Sequence, residues 1–353
     1  MVIKFPDKSN TLKGLYCLAP FETAMIDEWG RVFICGCEAW LPTPVGNVND
    51  DSIDVILKND LSKQIRASIV DHTYTFCNEK TCKVIKNNEL RTGSQLGTEY
   101  SDIKNWDLNT SANNLKRIFF AGDRTCNLSC PSCRTHVIKY HEGVGRDQKH
   151  RRDQLVDRFV KNLFSAPNSR LEEIVLSTSG ELFASEVLLG VLEQANLENF
   201  PNCKLHIQTN GLLMRNRWHR LGQWQNRVST VNLTADACTK EIYEKLRRGG
   251  RYELLLENLE WFKEKKTNDN INFIMKMVVQ KDNIDQLEDF YEFGKRHGAD
   301  EVHYSRITDW HVMTPETFAS VDVLSHSHPD FERANGLVER FKTRGYPDAK
   351  FMG

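Results

Sequence analysis

The chain has 353 residues, 40% of them apolar and 27% charged, with a formal net charge of −1. That balance excludes a global electrostatic attraction to nucleic acid or to an acidic membrane surface. No apolar run approaches the roughly 20 residues of a membrane span, and the opening MVIKFPDKSN has no apolar signal core, so a cytoplasmic protein is expected.

The first 90 residues show no strand–helix alternation. They hold turn signals at Asp27-Glu28-Trp29-Gly30, Pro42, Pro44 and Gly46-Asn47, and one helix is expected over Ser52–Ile69. They also hold five cysteines, Cys17, Cys35, Cys37, Cys77 and Cys82. Cysteines at this density in a reducing compartment point to ligands or reactive thiols rather than disulfides. Residues 87–114 are polar and read as a linker.

From residue 115 the pattern alternates. Leu115–Ala121 reads as a buried strand, Arg151–Phe164 as a helix, Leu171–Ser177 as a strand and Ala184–Leu197 as a helix. The basic, histidine-rich stretch His141–Arg152 reads as a solvated loop. Lys204–Thr209 is a strand with a helical stretch after it through Trp224, and Arg227–Thr234 is a strand followed by helices at Lys240–Leu246 and Tyr252–Lys265. Ile271–Val279 and Glu301–Arg306 are strands flanking a helix at Ile284–His297, and Pro329–Thr343 is a terminal helix. Such βα units with short connections predict a parallel sheet clothed by helices. Six units are too few for a closed eight-stranded barrel. The expected fold class is therefore α/β, a partial (β/α)6 barrel preceded by a small cysteine-rich module. The expected domains are 1–90, a linker at 91–114, the barrel at 115–306 and a C-terminal extension at 307–353.

Directly after the first barrel strand comes Cys126-Asn127-Leu128-Ser129-Cys130-Pro131-Ser132-Cys133, a C-x3-C-x2-C run. Functional residues gather at such strand ends. Three thiolates leave a four-position centre one ligand short. On the triplet alone two readings stand: an iron–sulfur cluster with one iron open, or a zinc site closed by a further ligand such as His136.

This loop, with the strand before it and the βα order after it, resembles the radical S-adenosylmethionine (SAM) superfamily. The resemblance implies that Cys126, Cys130 and Cys133 ligate a [4Fe-4S] cluster whose open iron is chelated by SAM. Reductive cleavage of SAM would then give a 5′-deoxyadenosyl radical that abstracts a hydrogen atom from substrate. Further matches follow the strand ends. Ser179-Gly180-Glu181 is similar to the family's Gly-Gly-Glu motif, with Ser179 in place of its first glycine. Thr209-Asn210-Gly211 stands where the family often has T-N-G. Thr234 and Asp236 fill its S-x-D positions and Arg247 its arginine before glycine, positions implied to contact the SAM ribose and carboxylate. Ser132 departs from the aromatic that often precedes the third cysteine, which leaves adenine contacts to neighbours such as His136 or Val137. The resemblance covers roughly residues 115–306.

Cys17, Gly30 and Cys35 have the spacing C-x12-G-x4-C, and Gly46-Asn47 and Cys77-x4-Cys82 follow. This segment resembles the SPASM/twitch auxiliary-cluster module. That module usually follows the catalytic domain, and the long cysteine run of a full SPASM domain is missing here. The resemblance implies one auxiliary [4Fe-4S] cluster on Cys17, Cys35, Cys77 and Cys82, with Cys37 able to replace one of them. A structural zinc site with four thiolates is the alternative.

Cys238 lies two residues past Asp236, near the strand ends. It is either a hydrogen-atom donor to a substrate radical or a small buried residue opening a helix. Cys203 starts a strand and reads as structural. The tail Asp309–His328, with His311, His326 and His328, either closes over the site or covers the sheet edge.

The family's relatives with such modules mostly crosslink, oxidise or epimerise peptide side chains, and others act on sugars or aminoglycosides. The resemblance therefore implies an oxidoreductase or epimerase acting on a peptide or a small molecule. It would be served by an electron donor such as flavodoxin or ferredoxin and helped by a separate peptide-recognition partner. The rival of another class is a non-catalytic iron–sulfur or zinc scaffold.

Overall fold

A computed structural model describes residues 2–106, 114–139, 146–176 and 179–352. The described strands are β1 (Leu15–Tyr16), β2 (Thr23–Ile26), β3 (Arg31–Phe33), β4 (Gly46–Asn47), β5 (Arg91–Thr92), β6 (Arg117–Phe120), β7 (Glu173–Leu176), β8 (Lys204–Thr209), β9 (Val228–Thr234), β10 (Asn272–Val279), β11 (Glu301–Arg306) and β12 (Ala349–Met352). The chain packs as two compact units. The first holds Met1–Asp123, His141–Ser179 and Glu186–Leu205, and the second holds Arg124–Tyr140, Gly180–Ser185 and His206–Gly353.

In the first unit β2 and β3 form an antiparallel hairpin with Met25 opposite Phe33 and Ile26 opposite Val32. Its turn is closed by Asp27 Oδ1, which accepts from the Trp29 and Arg31 amides at 3.0 and 2.9 Å. Gly30 sits at φ +79, and a Cβ there would come within 2.4 Å of Asn49 Nδ2, so the turn requires glycine. β2 also pairs in parallel with β6, Thr23 to Arg117 through Ile26 to Phe120, and β6 pairs in parallel with β7. The cysteine-rich segment thus shares a sheet with the first barrel strands. Pattern reading could not show this, because pairing partners far apart in sequence leave no local periodicity.

The helix expected over Ser52–Ile69 is two helices, Ile53–Lys58 and Asp60–Val70. Asn59 breaks it: with ψ 166 it leaves the helical region, and its side-chain oxygen accepts from the Ser62 amide as the cap of the second helix. The polar stretch after residue 87 also folds. β5 pairs with β1, and Thr92 and Gln95 cap the helix Gly93–Leu96 reciprocally. Its polar side chains serve as caps, a use that composition alone hides. Residues 107–113 of the expected linker lie outside the described residues.

The helix Arg146–Phe159 begins within the stretch read as a solvated loop, whose start lies outside the described residues, and it runs on into a π turn at Val160–Phe164. It packs on the helix Glu186–Gln194, where a Cβ on Gly190 would meet Val156 Cγ2 at 3.0 Å. Phe120, Phe159, Phe164 and Phe200 form the core by edge-to-face contacts with centroids 5.0–6.0 Å apart. The expected strand end at Ser177 lies outside the described residues.

The second unit is built on β9, β10, β11 and β12, all parallel and in that order. On one face Val231, Leu233, Phe273, Met275, Met277, Val302 and Tyr304 are fully buried. Phe273 meets Phe262 of the helix Tyr252–Asp269, and Tyr304 meets Phe290 of the helix Leu287–Arg296. β12 goes beyond the sequence expectation. Gly345 ends the helix Phe331–Arg344 at φ +68, and the short edge strand that follows is too brief to show a period. Among the described residues no helix is long and apolar enough to cross a membrane.

In the tail, the short helix Pro315–Val321 is tied back to β11 by Arg306, whose guanidinium pairs with Asp322. His328 accepts from the Asp330 amide at Nδ1, and its Nε2 stands 3.1 Å from the Ser320 carbonyl. His328 is therefore a structural link of this tail, whereas His311 is exposed.

Candidate active site and cysteine clusters

The C-x3-C-x2-C loop lies within the second unit. The Cys126 amide donates to the Ile138 carbonyl, and the Cys133 and Arg134 amides both donate to the Cys130 carbonyl, which folds the loop back on itself. Each thiol faces a donor. The Leu128 amide and Asn210 Nδ2 reach Cys126 Sγ at 3.4 and 3.9 Å. Arg247 Nη1 reaches Cys130 Sγ at 3.6 Å, and Arg134 Nη2 reaches Cys133 Sγ at 3.3 Å. Burial pushes the Cys126 thiol up to about 11, against the pull of Arg134.

Glu181 organises the strand ends beside the loop. It is 1% exposed, and its carboxylate accepts from the Thr209 hydroxyl at 2.7 Å, the Asn210 amide at 2.6 Å and the Phe183 amide at 3.1 Å. Burial raises its pKa above the ordinary value, while these donors pull it back. Its own amide donates to the Thr125 carbonyl, one residue before Cys126. Asn210 Nδ2 donates to Asn127 Oδ1 at 2.9 Å, a second tie between strand end and loop. Ser179 belongs to the first unit, where its hydroxyl stands 3.3 Å from the Ala121 carbonyl.

Thr234 ends β9. Asp236 follows at φ +65, a left-handed conformation that turns its carboxylate back into the fold. Its Oδ1 accepts from the Val278 amide at 2.8 Å, and its Oδ2 stands 3.0 Å from Arg247 Nε. Burial raises the Asp236 pKa against the guanidinium's pull, and Arg247 is held charged by Asp236 and the Cys130 thiol despite its own burial. Arg248 pins the loop from the other side, with Nε 3.1 Å from Ser129 Oγ and Nη2 donating to the Thr135 carbonyl. Sequence reasoning missed Arg134 and Arg248, and it named Thr209 only as part of the Thr209-Asn210-Gly211 run, not as a donor to Glu181. The signal was available only as arginines flanking the cysteine loop and the Arg-Arg-Gly-Gly run.

The second unit thus brings Cys126, Cys130, Cys133, Glu181, Asn210, Asp236 and Arg247 into one network. His136 lies outside it, exposed and 3.0 Å from the Thr135 hydroxyl. Cys238 is pushed up to about 11 by burial and then by Asp289, and its amide donates to Gln286. The charged groups acting on Cys238, Asp289 and Arg296, belong to the helix Leu287–Arg296, while Cys130 is acted on by Arg247. Cys203 is fully buried in the first unit.

The five N-terminal cysteines lie within the first unit, and none of the ten cysteines is in a disulfide. Burial raises all five thiols, and their mutual repulsion adds to it: Cys77 is acted on by Cys17, Cys35 and Cys82, whereas Cys37 acts on Cys35 and Cys82. Backbone amides turn toward the sulfurs, Ala19 to Cys17, Cys37 to Cys35, Ala39 and Trp40 to Cys37, and Val84 and Ile85 to Cys82. Such N–H···S contacts stabilise thiolates and cluster sulfides. Among the described residues no three His, Cys, Asp or Glu side chains are closed up in a metal-ligand arrangement.

The profile of the radical SAM superfamily matches residues 124–294, and that of an iron–sulfur cluster-binding domain, SPASM, matches residues 17–83. No curated protein matches the chain. Among solved structures, Streptococcus suis SuiB bound to S-adenosylmethionine is similar at 14% identity and a TM-score of 0.43, over 83% of this chain and 61% of that one. A histidine-tagged anSMEcpe with bound AdoMet is similar at 20% identity and a TM-score of 0.39, over 55% of this chain and 50% of that one. A radical SAM methyltransferase from Sphaerobacter thermophilus is similar at 17% identity and a TM-score of 0.38, over 65% of this chain and 63% of that one. This chain spans about three-fifths of the SuiB chain.

The family implies [4Fe-4S] clusters and SAM. The residues present fit them in kind: three soft thiols on one loop of the second unit and five within the first, sulfurs facing N–H donors, and two polar groups beside Cys130, the Arg247 Nη2 and the Tyr243 hydroxyl, that are buried without a hydrogen-bond partner.

Proposed function

We propose that this chain, a radical SAM enzyme with an SPASM iron–sulfur module, abstracts a hydrogen atom from a peptide or protein side chain and leaves it crosslinked, oxidised or epimerised. A cluster-bound SAM, when reduced by one electron, supplies a 5′-deoxyadenosyl radical. The chain's own residues prepare for that chemistry. Cys126, Cys130 and Cys133 would hold three irons, and Arg134, Arg247 and Asn210 lower the cost of the negative charge on their sulfurs. Ser179, Gly180, Glu181, Asn210, Thr234, Asp236 and Arg247 are the proposed SAM contacts. Glu181 fixes the backbone after β8, and the Asp236–Arg247 pair holds a charged guanidinium next to Cys130. Cys17, Cys35, Cys77 and Cys82 are the proposed auxiliary-cluster ligands, with Cys37 as substitute. The observation that carries the reading is the Glu181 network, which ties the strand end to the residue before Cys126.

A flavodoxin or ferredoxin is the proposed electron donor, a separate protein the proposed peptide-recognition partner, and the reducing cytoplasm the proposed compartment. SuiB has been crystallised bound to its precursor peptide SuiA, and a peptide is the first substrate to try. The substrate is tested with anaerobically reconstituted enzyme, SAM and dithionite. A peptide encoded by a neighbouring gene is expected to raise 5′-deoxyadenosine formation and to lose hydrogen. Stimulation by a sugar or aminoglycoside alone would overturn the peptide reading. If the product is an epimer, Cys238→Ala separates the roles of that thiol: full turnover in the variant removes Cys238 as donor.

The auxiliary cluster is tested by metal content. Two clusters predict about eight irons per chain, and about four irons plus one zinc would contradict the second.

A further inference from the structure

Within the second unit, the face of β9–β11 turned away from the apolar core is mostly polar. It carries Asn232 and Thr234 on β9, Lys276 between Ile274 and Val278 on β10, and Glu301, His303 and Ser305 on β11. Parallel strands covered on both faces are ordinarily apolar on both. Two of this face's polar residues are withdrawn from water, Asn232 at 4% and His303 at 8% exposure, and Lys276 between them is half-buried.

The groups on it do not balance. Glu301 is satisfied by His303 Nε2 at 2.5 Å and by Lys350 Nζ at 2.7 Å. Lys276 stands between Thr234 and His303 in register and has no hydrogen-bond or ion-pair partner among the described residues. Burial lowers its pKa, as expected of an ammonium without a counter-charge. One row away, Asn232 Nδ2 meets His206 Nε2, while Asn232 Oδ1 is buried without a partner. An unpaired cation and an unpaired amide oxygen on neighbouring strands ask for a guest with an anionic group and an N–H or O–H donor.

We infer that Lys276, with Asn232 and His303 beside it, forms a subsite for a carboxylate on the substrate of this enzyme. The inference rests on the peptide reading above and narrows it to a substrate with an acidic group. A single ammonium beside a neutral imidazole matches one negative charge. A phosphate dianion ordinarily draws on arginine or several converging donors.

The test is a ligand-observed NMR titration of the anaerobically reconstituted enzyme with three probes: succinate and the end-blocked tripeptides Ala-Glu-Ala and Ala-Gln-Ala. Wild type is expected to bind the carboxylate probes and not Ala-Gln-Ala, with affinity about tenfold or more weaker in Lys276→Met and restored in Lys276→Arg. Tighter binding of Ala-Glu-Ala places the carboxylate on a peptide side chain, and tighter binding of succinate places it on a small acid. Equal binding by wild type and Lys276→Met, or no binding of either carboxylate by folded wild type, would overturn the subsite. Lys276→Met is expected to melt no lower than wild type, because it removes a half-buried charge with no partner among the described residues. Substrate-free 5′-deoxyadenosine formation by wild type reports on the proposed function alone. Its absence from wild type would count against the proposed function and leave the binding result to be judged separately.

Discussion

Changing any one of Cys126, Cys130 or Cys133 to Ala is expected to abolish 5′-deoxyadenosine formation, a loss of at least about 1,000-fold. The expectation follows from ligand counting: three thiols hold three irons, and the loop supplies no fourth in reserve. His136, the one other ligand candidate in the loop, is exposed and engaged with the Thr135 hydroxyl. Iron should fall by about half, since the cysteines of the first unit are untouched. The backbone bonds that fold the loop, Cys126 to Ile138 and Cys133 to Cys130, do not use the thiols. The variants should therefore remain folded, and circular dichroism with an unchanged melting profile separates loss of the cluster from loss of structure. A variant that kept deoxyadenosine formation would remove that cysteine from the ligand set.

Arg247→Met carries the second large expectation. The guanidinium lies between Asp236 Oδ2 at 3.0 Å and Cys130 Sγ at 3.6 Å. Without it a carboxylate that is 2% exposed loses its counter-charge. Breaking a buried pair from one side costs about 3–5 kcal/mol. The expected losses are therefore of stability and of SAM cleavage together. The sign of the pH dependence follows. Burial already raises the Asp236 pKa, and Arg247 pulls it back. Removing Arg247 raises it further, so the variant's native state favours the protonated acid. Its stability is then best at low pH and is lost as pH rises through the raised pKa. Asp236→Asn in the same background should recover much of the stability, because it removes the stranded charge, and none of the cleavage. Denaturant melts at two pH values check both points. A single variant as stable as wild type at neutral pH would show that the pair is not coupled as its geometry implies.

Much of this site was legible in the sequence because its chemistry is local. The cysteine spacing lies within one loop, and Glu181, Asn210 and Asp236 each follow a strand that its own pattern marks. β8, β11 and the helix Lys240–Leu246 fall at the bounds the pattern predicts. What escaped was non-local or buried in polar composition. The parallel pairing of β2 with β6 joins residues about 94 apart in sequence, Thr23 with Arg117, and no window sees that distance. Asn59 looked like one polar position in a helix and is the cap that divides it. Lys276 falls inside the expected strand Ile271–Val279, where the pattern gives it no role. Only the register with Thr234 and His303 shows that it shares a polar face.

The central claim is that the fourth position beside Cys126, Cys130 and Cys133 serves SAM. Anaerobically reconstituted wild-type protein, given SAM and dithionite, should form 5′-deoxyadenosine and methionine in equal amounts, and neither without the reductant. An intact, reducible cluster that binds no SAM and yields no deoxyadenosine would contradict the claim and leave the chain an iron–sulfur scaffold.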